Sequence, residues 1–122
     1  MVLQADSKTT RPVRAVLFDL DGTLLDSIPD LSEACHRMMV ELGRPPHGIE
    51  AIRTFVGKGM VNLVRRCLAE SGSADAAEVD AAVEVFRRHY AEVNGACTLI
   101  YEGVVPALEA LRTWGVPMAC VT

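Results

Sequence analysis

Two aspartates, Asp19 and Asp21, stand on either side of one leucine in the stretch AVLFDLDGTLLDS, and Gly22 and Thr23 follow at once. In an extended chain residues two apart point the same way, so both carboxylates share one side while Leu20 turns toward the core. Neighbouring carboxylates resist joint ionisation, and a hard divalent cation is the usual means of keeping both charged, with Mg²⁺ the natural candidate. A nucleophilic carboxylate, a second carboxyl group to move a proton and a cation to offset phosphate charge make a phosphoryl-transfer site working through an aspartyl-phosphate. Gly22 permits a tight turn and Thr23 supplies a hydroxyl.

Two other readings of these residues stay open at this point. An EF-hand loop also begins Asp-x-Asp, but it needs glycine at its sixth position and glutamate at its twelfth. Counted from Asp19, the glycine here is fourth and the twelfth residue is Asp30. Asp19 and Asp21 could also be plain residues at a strand end. Asp26 and Ser27 read as structural: Ser27, with Pro29 in the first turn and Asp30 three residues on, fits a helix N-cap with a capping-box-like pair.

The elements that must position this pair follow from periodicity. Val13 to Asp19 carries apolar residues at both parities, the pattern of a strand covered on two faces in a parallel sheet. Functional sites of open α/β sheets lie beyond the carboxyl ends of the strands, where Asp19 falls. Ile28, Leu31, Ala34, Met38 and Leu42 then recur at helical steps until Gly43 and the Pro45-Pro46 pair stop them. A shorter helix over Ile49 to Phe55 leads to the turn Gly57-Lys58-Gly59. Met60, Leu63, Val64, Cys67 and Leu68 mark the next helix, ended by Ser71-Gly72-Ser73. Val79, Val83, Phe86, Tyr90 and Val93 mark another, closed by Asn94-Gly95. Gly103 to Trp114 predicts one more helix, with Val104, Leu108, Leu111 and Trp114 inward, and Pro117 to Val121 resumes a strand.

That order, strand, helical insert, helix, strand, predicts an α/β fold interrupted by a helical module. We place the leader and first core strand with its loop in residues 1–26, the helical module in 27–95 and the return to the α/β core in 96–122.

The 122 residues carry a formal net charge of −4, which argues against nucleic acid, since phosphate-backbone binding needs a basic face. The pairs Arg65-Arg66 and Arg87-Arg88 are small clusters that read as solvated helix faces. No apolar stretch is long enough to cross a bilayer. The polar, mixed-charge stretch Met1 to Arg14 lacks the apolar core of a secretory signal and reads as a short mobile leader, so a cytoplasmic location is expected. Cys35, Cys67, Cys97 and Cys120 lie far apart in apolar or helical contexts and read as reduced, buried thiols.

The stretch VLFDLDGTLLDS resembles, position by position, the first motif of haloacid-dehalogenase-superfamily phosphatases. The resemblance implies a Rossmann-like parallel-sheet core, of which only the N-terminal part is present, with an inserted α-helical cap. It implies Asp19 as nucleophile, Asp21 as general acid/base, and Mg²⁺ held by the Asp19 carboxylate and the Asp21 backbone carbonyl. FVGKGM, HYAEVN and YEGV look most like phosphoglycolate phosphatases, which implies a small phosphorylated metabolite as substrate. There the Gly57-Lys58-Gly59 turn helps form the substrate-facing loop of the cap, with Lys58 as an anion contact, while Gly22 and Thr23 line the phosphate position.

Thr122 resembles the second-motif hydroxyl that binds the transferring phosphoryl group. The third-motif lysine and the fourth-motif acidic metal ligands have no match in the chain. The expectation is therefore a truncated form, weakly active at best, since a free α-carboxylate at Thr122 would repel substrate beside the phosphate position. Two core strands rarely stand alone, so association with another copy through exposed core edges is also expected. A sugar phosphomutase using the same aspartyl-phosphate, or a non-catalytic interaction fragment, are the alternatives; dehalogenation fits less well because that branch lacks the acid/base Asp21.

Overall fold

A computed structural model describes residues 11–72 and 74–122; the leader residues before Arg11, and Ser73, lie outside the described residues. The order is β1 (Val16–Asp19), β2 (Leu25–Asp26), α1 (Ile28–Glu41), α2 (Ile49–Phe55), α3 (Met60–Glu70), α4 (Ala76–Val93), β3 (Leu99–Ile100), α5 (Val104–Thr113) and β4 (Met118–Val121). The chain divides into two compact units, one spanning Leu25–Leu99 and the other formed by the segments up to Leu24 and from Ile100 onward. The short strands β2 and β3, which pair with each other, were not foreseen from the sequence. Two residues are too few to show a period.

The helical unit is built from the apolar stripes of its four helices. Met38, Met39, Ile52, Val64 and Phe86 are fully buried in one cluster to which all four helices contribute. Burying a side chain of this size stabilises by roughly 2 kcal/mol, so this cluster is the main stabilising element of the unit. Phe86 stacks on Tyr90 with ring centroids 5.6 Å apart. Gly43, at φ +68°, follows α1, a backbone conformation that an L side chain adopts only with strain. Asp75 and Glu78 form a reciprocal capping box at the start of α4, the Asp75 carboxylate accepting from the Glu78 N–H at 2.8 Å.

The cap expected at α1 is different. Ser27 occupies the N-cap position but its side chain makes no capping hydrogen bond. The Asp26 carboxylate instead accepts the Ile28 N–H at 3.2 Å. Asp30 turns away from Ser27 to meet the segment after α4, where it accepts from the Gly95 and Cys97 N–H groups and from Thr98. A buried carboxylate goes to the partners that satisfy most of its lone pairs, and residues 95–98 bring three donors to it.

In the other unit β1 and β4 pair in parallel, with Val16 beside Met118, Leu17 beside Ala119, Phe18 beside Cys120 and Asp19 beside Val121. Val16 and Phe18 are half-buried while Leu17 is 70% exposed. The strand is therefore bare on one face, against the expectation of cover on both. Neither α5 nor β4 buries a residue fully, because two strands and one helix enclose too little volume for a core. Trp114, expected inward, is 73% exposed at the C-cap of α5, past its last turn.

The thiols also divide. Cys35 and Cys67 are buried, and the Cys35 thiol is pushed up by the hydrogen bond it shares with Cys67 and then by burial, so it stays protonated. Cys97 and Cys120 are exposed, the first in the turn between α4 and β3 and the second on the uncovered strand β4. Arg66 donates to the Thr54 carbonyl at 2.6 Å and lies over the Phe55 ring. Arg87 pairs with Glu84, and Arg88 with Glu41 across α1 and α4. Arg66, Arg87 and Arg88 are all exposed, so these contacts lie on solvated helix faces. Among the described residues no helix is long and apolar enough to cross a membrane.

Candidate functional site

Asp19 is the last residue of β1, and its exposure follows from its place where the strand leaves the sheet. The chain then turns at once. The Leu20 carbonyl accepts both the Thr23 N–H at 3.2 Å and the Leu24 N–H at 2.9 Å. This turn needs Gly22 at φ +78°, and a Cβ there would meet nothing within 4 Å. The requirement for glycine is thus conformational, with no neighbour to crowd a side chain.

The turn folds Thr23 back on Asp19: its Oγ1 lies 3.5 Å from the Asp19 Oδ2, a long donor contact at the outer limit of a hydrogen bond. Asp19, Asp21, Gly22 and Thr23 are all exposed, so the carboxylates stay hydrated and open to a ligand. Because Asp19 pairs with Val121, Thr122 leaves β4 at the same end of the ladder as the aspartates leave β1. Five of the six residues singled out from the sequence therefore belong to one end of one small sheet. The sixth, Lys58, lies in the helical unit Leu25–Leu99. There it is exposed, and at φ +64° it is left-handed between Gly57 and Gly59, the one described non-glycine residue with positive φ.

The Asp19 carboxylate and the Asp21 backbone carbonyl, which would hold the ion, are hard oxygen ligands that suit Mg²⁺. Among the described residues no three His, Cys, Asp or Glu side chains gather as a metal-binding group. Such a pair fits an ion that keeps several waters and takes its other ligands from a substrate phosphate.

Asp30 was given only a capping role by the sequence, and Thr98 none. Only Asp30 was legible in part: it continues the stripe of Ala34 and Met38 at four-residue steps, so a carboxylate on the buried face of α1 needed partners.

A family model described as a haloacid dehalogenase-like hydrolase matches residues 13–122. A phosphoglycolate phosphatase from Pseudomonas putida is 51% identical over 114 residues, covering 89% of this chain and 41% of its own length. A plasmid-borne phosphoglycolate phosphatase from Cupriavidus necator is 45% identical, covering 91% of this chain and 48% of its own length. The crystal structure of a protein described as a predicted phosphoglycolate phosphatase from Haemophilus somnus superposes with a TM-score of 0.81 at 27% identity, over 89% of this chain and 51% of that one. The chain spans about half the length of the curated relatives it matches. With a family match over nearly all of its length, and with Asp19 and Asp21 where β1 opens into its turn, the chain belongs to the haloacid dehalogenase-like hydrolase family.

Proposed function

We propose that this chain supplies the nucleophile-bearing part of a Mg²⁺-dependent phosphomonoester hydrolase acting on 2-phosphoglycolate, releasing glycolate and inorganic phosphate. The observation that carries the reading is the exposed Asp19 carboxylate at the carboxyl end of β1, with Asp21 two residues on and Thr23 folded back to it. Relatives named phosphoglycolate phosphatase at 45% and 51% identity support the substrate.

In this reading an Asp19 carboxylate oxygen attacks phosphorus. The ester P–O bond breaks with its electron pair leaving on the glycolate oxygen, which takes a proton from the Asp21 carboxyl group. Asp21, now a carboxylate, accepts a proton from water as that water attacks the phosphorus of the aspartyl-phosphate; phosphate leaves and the Asp19 carboxylate is restored. Mg²⁺, held by Asp19 and Asp21, would offset the charge of the phosphoryl oxygens. The Thr122 hydroxyl, the Gly22-Thr23 turn and Lys58 are proposed to contact the phosphoryl group and the substrate anion.

The test compares Mg²⁺-dependent phosphate release from 2-phosphoglycolate by this chain and by a chain extended with the C-terminal part of the Pseudomonas putida relative. The extended chain should turn over, and Asp19→Asn should abolish it. Normal hydrolysis by Asp19→Asn would remove the nucleophile assignment. Sugar-phosphate isomer formation, followed by phosphorus NMR, would redirect the reading to a phosphomutase.

A second reading, a non-catalytic module that pairs with a further copy of itself, is favoured by the bare face carrying Leu17 and Val121, 70% and 59% exposed. A light-scattering mass of a dimer that Leu17→Glu converts to monomer, without hydrolysis, would support it. A monomer turning over phosphoglycolate would exclude it.

A further inference from the structure

Among the described residues Asp30 is the one buried charged side chain, 1% exposed. It is the third residue of α1, close to where the chain enters the helical unit through β2. Its partners are 65 to 68 residues away, close to where the chain leaves through β3. The Oδ2 atom accepts the Gly95 N–H at 2.9 Å and the Thr98 Oγ1–H at 2.5 Å, and Oδ1 accepts the Cys97 N–H at 2.8 Å.

The donors of this return segment are divided in alternation. The Asn94 and Ala96 N–H groups bond back to the carbonyls of Tyr90 and Val93 at the end of α4. The Gly95 and Cys97 N–H groups bond to Asp30. Half of the segment is thus tied to the helix it has left and half to the helix at which the unit began. Since β2 and β3 pair as well, the chain closes a loop: β2, the first turn of α1, the Asp30 carboxylate, residues 95–98, β3 and β2 again.

We propose that Asp30 is a positioning residue whose carboxylate fastens the entering and leaving segments of the helical unit into one rigid root. No neutral side chain of this size does the same work. An aspartate offers two acceptor oxygens to three converging donors. Asparagine has one such oxygen and turns an NH₂ toward N–H or O–H groups, while an apolar residue leaves all three donors unpaired. Both chain connections of the unit then move together or not at all. The catalytic assignment of Asp19 is not needed for this, and the test uses no substrate.

The experiment uses the ¹⁵N-labelled 122-residue chain with Asp30→Asn and, as a milder change that removes one donor, Thr98→Val. Amide exchange and relaxation dispersion are read residue by residue. In Asp30→Asn the Gly95 and Cys97 amides should exchange on the order of 30-fold faster or more, the loss expected for hydrogen bonds to a charged acceptor. New microsecond-to-millisecond exchange should appear at Leu25, Asp26, Leu99 and Ile100, while Ile52 and Phe86 keep their shifts and protection. Thr98→Val should give the same pattern at smaller amplitude. The proposal is overturned if exchange at residues 95 and 97 is unchanged in both variants. It is equally overturned if protection falls evenly across α1 to α4, which is what loss of general stability alone would produce.

Discussion

Asp19 and Val121 are direct partners in the parallel ladder of β1 and β4. That single register fixes what leaves the sheet together: the Leu20–Leu24 turn from one strand and Thr122 from the other. Parallel strands require a long connection, and here most of it is the helical unit Leu25–Leu99. Chemistry-bearing residues roughly 100 positions apart are thereby set at one edge without any contact between their side chains being needed.

Gly22 sits at φ +78° with open space around it. Gly22→Ala should therefore weaken the turn by about 1 kcal/mol through backbone strain alone, and Gly22→Asn by less. The check is amide exchange at Thr23 and Leu24, whose N–H groups bond to the Leu20 carbonyl. Equal protection in Gly22→Ala and the parent would refute the strain account.

Asp30 gives the helical unit a pH dependence. Burial alone raises its carboxyl pKa, but the bonds from Thr98, Cys97 and Gly95 more than reverse this, and the net direction is down. A carboxyl whose folded pKa lies below its unfolded value stabilises fully above the unfolded value, about 3.9, and loses that contribution as pH falls through the folded one. The denaturant midpoint of Asp30→Asn should lie below that of the parent at pH 6, the gap narrowing as pH drops below about 4. A gap that stays constant to acid pH would contradict the assignment.

Phe86 is fully buried and Trp114 is 73% exposed, so the larger side chain matters less. Phe86→Ala should cost about 3–5 kcal/mol of helical-unit stability, whereas Trp114→Ala should stay within about 0.5 kcal/mol. Urea titrations followed by helical circular dichroism decide this. A Trp114→Ala loss comparable to that of Phe86→Ala would show that the indole is covered in solution.

How far the sequence carried depended on the kind of signal. The longer helices are legible to within one to three residues because each repeats an apolar stripe over two or more turns, and the short α2 falls in the region expected around Ile49 to Phe55. The first strand was read three residues too long, since Val13, Arg14 and Ala15 look extended but have no partner strand. Burial was misjudged at Leu17, Trp114, Cys97 and Cys120, all outside the helical core cluster, because periodicity says which face is apolar and not whether anything covers it. The aspartate pair was visible as a motif because its chemistry is local. The partners of Asp30 were not visible, because nothing in the sequence near residue 30 specifies donors more than sixty residues later.

The proposed hydrolysis requires that the Asp19 side chain itself accept the phosphoryl group. Its most direct test is to mix the extended chain with 2-phosphoglycolate and Mg²⁺, quench in acid within one turnover, reduce with borohydride and sequence the peptides by mass spectrometry. An acyl phosphate on Asp19 is reduced to homoserine, so homoserine at position 19, absent without substrate and absent in Asp19→Asn, is the predicted result. Phosphate release with an unmodified aspartate at position 19, or homoserine appearing at Asp21 instead, would contradict the account.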